Sequence, residues 1–349
     1  LSGFLGAPCT GDFKHTAMYR RTLWVLCSLA GTAFWHVACA DSGISNRRWF
    51  TVSGDAGKMQ ATRDTVCTED FYHGSQLEAR FTAEPQRLTR TPGVLCSTLG
   101  SATDAWVYRN RARVSPPSDD AIFSTICRSG SPQQVIEPLA GILRSPQYPC
   151  RMAGANGGSQ WDPIMNVDWL VLADNRSFPE GIKGKRIFFD AGGSRFADAM
   201  RFFAPAYEER GIPFDEIYVW EAMHLPDETY WQGTPEAVRK RWESHVKFYS
   251  GVPVTDEVGS ENNPIARIHQ HCGPDDFCSF KLDIDTPALE WSLVQQLRAD
   301  PGHLKEFFFE HHVHGLMEKI WKDVNGTISD SYDLFEDLRR QGVRAHSWV

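Results

Sequence analysis

From about residue 161 onward, short apolar runs alternate with amphipathic stretches, and this alternation limits the fold more than any other feature of the chain. Strands are predicted at Lys185 to Asp190, Glu216 to Glu221, His245 to Tyr249, Phe277 to Asp283, Leu304 to His312 and Val343 to Val349. Helices are predicted between them. Ser194 to Arg210 carries Phe196, Met200, Phe203 and Tyr207 on one face, has Pro205 inside it and is stopped by Gly211. Thr234-Pro235 opens a second helix to Glu243, Thr286-Pro287 a third to Arg298, and Ser329 caps a fourth through Arg340. Strands joined by helical crossovers must run parallel, and the helices cover both faces of the sheet. The predicted fold class is therefore α/β, a doubly wound and mostly parallel sheet over residues 161–349.

Three of these strands end in acid. Phe188-Phe189-Asp190 runs into Gly192-Gly193, Val219-Trp220 ends at Glu221, and Phe280-Lys281-Leu282-Asp283 continues to Asp285. Ligands of open α/β sheets bind outside the carboxyl ends of the strands, so three acids at that edge point to one site. Glycines after the first strand let the backbone approach a ligand, and a following helix N-terminus would supply N–H groups. Glu221 is placed to accept hydrogen bonds from ribose hydroxyls, although its 31-residue distance from Asp190 requires an insertion. Alternation predicts Lys281, Asp283 and Asp285 on one side of their strand, with Glu290 nearby, as a cluster that orients a hydroxyl or binds a cation.

The first half of the chain reads differently. Arg20-Arg21, the apolar run Leu23 to Trp35 and Ala38-Cys39-Ala40 form the three parts of a secretory signal. This predicts translation from Met18, non-native upstream sequence over 1–17, and a signal peptide or retained signal anchor over 18–40. Only a retained anchor would make the membrane a partner. The six remaining cysteines, Cys67, Cys96, Cys127, Cys150, Cys272 and Cys278, form an even set that suggests disulfides in an oxidising compartment. Asn175-Arg176-Ser177 and Asn325-Gly326-Thr327 are glycosylation acceptors. Residues 41–160 read as an irregular, disulfide-stapled N-terminal extension with one helix around Gln133 to Leu143. The expected location is the secretory pathway, Golgi lumen or extracellular. A net charge of −8 without a concentrated Lys/Arg patch argues against a nucleic-acid partner.

Taken in order, Phe189-Asp190-x-Gly192, Trp220-Glu221, Pro253-Val254-Thr255-Asp256-Glu257-Val258-Gly259 and Lys281-Leu282-Asp283-Ile284-Asp285 with Glu290 resemble the FkbM-type S-adenosylmethionine-dependent methyltransferases. The resemblance covers about residues 180–349. It implies a Rossmann-like methyltransferase fold, S-adenosylmethionine as cofactor, and O-methylation of a glycan or small-molecule hydroxyl. Carried over by residue, it implies that Asp190, Gly192, Gly193, Glu221 and Asp256 bind the cofactor. Lys281, Asp283 and Asp285 would face the reaction, with Asp283 or Asp285 as the base. The chain departs from the family pattern at Asp285, where the family has Glu, and at Thr286-Pro287, where it has Gly. It also lacks the third glycine of the first motif and is one strand short of the usual seven.

Other chemistries stay open at this point. One is a secreted protein that kept the fold without catalysis. Another is a glycosyltransferase in which Asp283-Ile284-Asp285 holds Mn²⁺ or Mg²⁺ against a sugar nucleotide. His269-x-His271-Cys272 with Cys278, and His311-His312-x-His314, have metal-binding residue types, but the first set lacks Cys-x-x-Cys spacing. A polar strand exit is the preferred reading of the second, and no metal is assigned.

Overall fold

A computed structural model describes residues 66–83, 121–140, 167, 169–178, 180–314, 324 and 326–348. Two units, Leu1–Met59 and Gln60–Val349, divide the chain, and every described residue belongs to the second. The signal segment, the residues upstream of it, Cys96, Cys150 and Asn325 lie outside the described residues.

The second unit begins with a small antiparallel sheet. Its strands β1 (Phe71–His73), β2 (Ser124–Cys127) and β3 (Gln134–Ile136) pair in that order, with helix α1 (Gln76–Ala83) after β1. Cys67 and Cys127 form a disulfide with a Cα separation of 5.9 Å. The helix expected around Gln133 is a strand instead. Val135 pairs with Thr125 and Ile136 with Ser124, while Pro138 has no N–H to continue a helix. The helical spacing of Ile136, Leu139 and Ala140 is real in sequence, but tertiary pairing with β2 overrides it.

The main sheet has six parallel strands in the order β6-β5-β4-β7-β8-β9. They are β4 (Arg186–Ala191), β5 (Glu216–Glu221), β6 (Val246–Ser250), β7 (Phe277–Leu282), β8 (Glu306–Phe309) and β9 (Arg344–Ser347). Helices α2 (Met200–Glu208), α3 (Asp227–Tyr230), α4 (Glu236–Trp242), α5 (Pro264–His271), α6 (Pro287–Ala299) and α7 (Ile328–Arg340) connect them. The α/β class and the parallel sheet flanked by helices agree with the sequence reading. Among the described residues there is no antiparallel seventh strand, and no helix is long and apolar enough to cross a membrane.

Consecutive residues on each strand enter opposite cores, as the period of two requires. Phe188 packs with Phe203 of α2 on one face, and Phe189 stacks on Tyr218 on the other. Met200, Phe203 and Tyr207 of α2 are fully buried against the first face. Ile265, Leu293 and Leu338, from α5, α6 and α7, cover the second. Each such side chain contributes about 1.5–3 kcal/mol on burial. α5 is a helix that the strand-by-strand reading does not include. Asn263 caps it by accepting from Ile265 N (2.8 Å) and Ala266 N (3.3 Å), with Pro264 in the first turn.

Buried charges join the small sheet to the large one. Arg339 of α7 is fully buried and donates to Tyr72 Oη (2.8 Å), Glu137 O (2.9 Å) and Ala345 O (2.9 Å). His346 of β9 lies between Glu137 and Glu306, and Tyr207 Oη donates to Glu306 (2.6 Å). The described residues of the N-terminal extension are therefore tied into the same unit as the large sheet. Asn175 is half-buried in a 3₁₀ turn, and its amide oxygen is buried.

Candidate functional site

Strand order reverses at β4, whose partner is β5 on one side and β7 on the other. This is the topological switch point of a doubly wound sheet, where the crossing connections leave a crevice at the strands' carboxyl ends. Asp190 on β4 is directly opposite Lys281 on β7. Lys281 Nζ is 3.0 Å from Asp190 Oδ1 and 3.3 Å from Asp283 Oδ2. The three side chains are 1–5% exposed, so one ammonium lies between two carboxylates out of water. Removing such charges from water costs several kcal/mol per ion, and only close pairing offsets that cost.

The glycine pair has a packing role. Gly192 has φ +94°, and a Cβ there would lie 1.7 Å from the carbonyl oxygen of Asp283. A Cβ at Gly193 would lie 2.5 Å from Val219 Cγ1 and 2.6 Å from Asp190 Oδ2. The close approach at both positions is thus to the protein itself. Their N–H groups both donate to Trp220 O, at 3.0 and 3.2 Å. The helix expected from Ser194 begins only at Met200, so its N-terminus does not follow the glycines. Phe196 N instead bonds Tyr230 O (2.8 Å), tying the segment before α2 to the end of α3.

Glu221, at the end of β5, is 8% exposed, and its Oε1 accepts from Met223 N (2.7 Å). Asp256 is exposed on the loop after β6, where its carbonyl accepts from Gln296 Nε2 (2.7 Å), outside this buried group. Tyr230 is a residue the sequence does not signal. It is 1% exposed, and its hydroxyl has no hydrogen-bond partner among the described residues. Burial, reinforced by the charges of Asp190 and Asp198, raises its pKa well above the usual tyrosine value.

Alternation placed Asp285 beside Lys281 and Asp283. The structure separates them, because β7 ends at Leu282 and Asp285 takes a left-handed backbone with φ +56°. Asp285 joins a second group with Glu310 and His312 beyond β8. Glu290, buried on the first turn of α6, holds that group from below. Its Oε1 accepts from Ile284 N (2.9 Å), and its Oε2 is 3.2 Å from His312 Nδ1. Asp283 thus pairs with Lys281, while Asp285 lies with Glu310 and His312.

The other histidines disperse. Cys272 and Cys278 form a disulfide, so neither offers a thiolate to zinc. His269 Nε2 lies 3.0 Å from Asp300 O, and burial lowers the pKa of His271, helped by Arg267. His311 stacks between Trp291 and Phe309 and bonds Ser331. No family model, curated protein or solved structure matches this chain.

Proposed function

We propose that this protein binds S-adenosylmethionine and methylates a hydroxyl group of a glycan or other small molecule in the secretory pathway. The observation that carries this reading is the buried Asp190–Lys281–Asp283 cluster at the switch point of the parallel sheet, with Glu221 one strand away. A doubly wound sheet offers a nucleoside ligand an acid at the second strand tip for its ribose, and Glu221 has that position. Asp190 and the backbone at Gly192 and Gly193 would border the amino-acid end of the cofactor. Tyr230 adds a buried hydroxyl within the electrostatic reach of Asp190.

Bound there, the cofactor would supply an electrophilic methyl group. The chain's own contribution would be to hold the acceptor in line and accept the hydroxyl proton, for which Asp283 is the candidate. The disulfides Cys67–Cys127 and Cys272–Cys278 support placement in an oxidising compartment.

One observation favours a second reading, a protein that kept this fold without catalysis. The N–H groups of Gly192 and Gly193 and one oxygen of Glu221 already bond to the chain itself. Titration of the full chain with S-adenosylhomocysteine by calorimetry separates the two. Binding that is lost in Glu221→Ala supports the methyltransferase. Absence of binding in the wild-type chain supports the second reading.

A further inference from the structure

The polar side chains that the Lys281 cluster does not use converge at the carboxyl end of β8. One donor atom from each of Asp285, Glu310 and His312 lies within 4.8 Å of the others. His312 Nε2 is 3.8 Å from Glu310 Oε1 and 4.0 Å from Asp285 Oδ1. His312 is 1% exposed, and the opposite side of its ring faces Glu290 at 3.2 Å. With the ring proton at Nδ1, against this buried carboxylate, the Nε2 lone pair would point at the two acids, the arrangement that orients metal-bound imidazoles.

The same carboxylate fixes the rest of the group. Glu290 also accepts from Ile284 N, which holds the turn that delivers Asp285. Asp285 is the only non-glycine residue with positive φ among the described residues, a backbone conformation that gathers at functional sites.

We propose that Asp285, Glu310 and His312 bind one divalent transition-metal ion, Mn²⁺ or Zn²⁺, with Glu290 as the positioning residue. An imidazole beside two carboxylates favours these ions over Mg²⁺ and Ca²⁺, which prefer oxygen alone. Tetrahedral donors about 2.1 Å from a metal lie about 3.4 Å apart, so binding draws the two acids towards His312 by about half an ångström. The Asp285 side chain, 51% exposed, can make that movement. It also leaves the ion open to solvent and to an oxygen ligand. Glu310 N donates to Leu282 O (3.2 Å), so the metal group lies beside the end of β7 that carries Asp283. A role for the ion in gripping the acceptor hydroxyl rests on the methyltransferase reading. The metal site itself does not.

A protonated His312 shared among three carboxylates would explain the same distances without a metal, and titration separates the two. Full-length protein stripped with chelator is titrated with MnCl₂, ZnCl₂, MgCl₂ and CaCl₂ by calorimetry. One Mn²⁺ or Zn²⁺ per chain is expected, with affinity about tenfold or more above Mg²⁺. Asp285→Asn, at a half-exposed position, should weaken binding about tenfold or more and leave the unfolding midpoint of the metal-free protein unchanged. Spin-echo modulation from an imidazole nitrogen should accompany bound Mn²⁺ and vanish in His312→Ala. No binding at about 1 mM metal, or affinity undiminished in both Asp285→Asn and Glu310→Gln, overturns the proposal. S-adenosylhomocysteine titrated into the same samples keeps the two readings apart, since either ligand can bind while the other fails.

Discussion

Lys281→Met removes one charge from the centre of the candidate site and little else. Methionine matches the lysine stem out to Cε, so the packing of the stem persists while the ammonium is lost. The wild-type ammonium is 3.0 Å from Asp190 and 3.3 Å from Asp283, and all three side chains are 5% exposed or less. Breaking a buried pair by removing one partner costs about 3–5 kcal/mol, because the remaining charge keeps its desolvation cost and loses the ion that offset it. Here two carboxylates lose that ion, one on β4 and one just past the end of β7, so the upper part of that range is expected. Lys185→Met provides the contrast. Lys185 pairs with Glu216 but is 62% exposed, and its replacement should hardly move stability. Urea unfolding followed by tryptophan fluorescence and by circular dichroism measures both. A double variant, Lys281→Met with Asp190→Asn, tests the mechanism by removing one stranded charge, and should be more stable than Lys281→Met alone. The reasoning fails if Lys281→Met costs less than about 1 kcal/mol, or if the double variant loses the sum of the two single losses.

Two further outcomes follow from the packing. Gly192→Ala meets Asp283 O at 1.7 Å in addition to its left-handed backbone, whereas a Cβ at Gly259, with φ +83°, meets nothing within 4 Å. Urea unfolding should show a loss of about 3 kcal/mol or more for Gly192→Ala and about 1 kcal/mol for Gly259→Ala, and equal losses would contradict the steric account. The buried His346 group sets a pH dependence. Burial favours loss of the His346 proton, but Glu137 and Glu306 more than offset this and raise its pKa. Burial likewise opposes ionisation of Glu137 and Glu306, yet His346 and the neighbouring arginines lower both pKa values. The histidine contribution is complete below the unfolded value of about 6.5 and is lost as pH rises through the higher folded value. The carboxylate contributions are complete above about 4.5 and are lost as pH falls through the lower folded values. Thermal midpoints should therefore be highest between these limits, and His346→Gln should flatten the alkaline fall. An alkaline limb unchanged in that variant would remove His346 as its cause.

Much of the main sheet is legible from local pattern. Glu216–Glu221 is a strand with the boundaries its apolar run predicts, and the other five fall within about three residues of theirs. The burial of Phe196, Met200, Phe203 and Tyr207 follows from their spacing, although the helix itself starts at Met200. Local pattern fails where distant partners decide. β3 is a strand because β2 pairs with it, and residues 194–199 stay outside the helix where Phe196 N bonds Tyr230 O. Asn263-Pro264 spells the start of α5, but few apolar positions follow it within two turns.

The sequence by itself determined the α/β alternation and which strands end in acid, because periodicity and turn chemistry act over a few residues. It also placed Lys281 next to Asp283, since a period of two sends them to one side of the chain. Only the tertiary structure decided which acids work together. The β4–β7 register brings Asp190 against Lys281 across a separation of 91 residues. The end of β7 at Leu282 and the left-handed turn at Asp285 send the next carboxylate to Glu310 and His312 instead. Alternation holds only while a strand lasts, and what ends a strand is the packing around it.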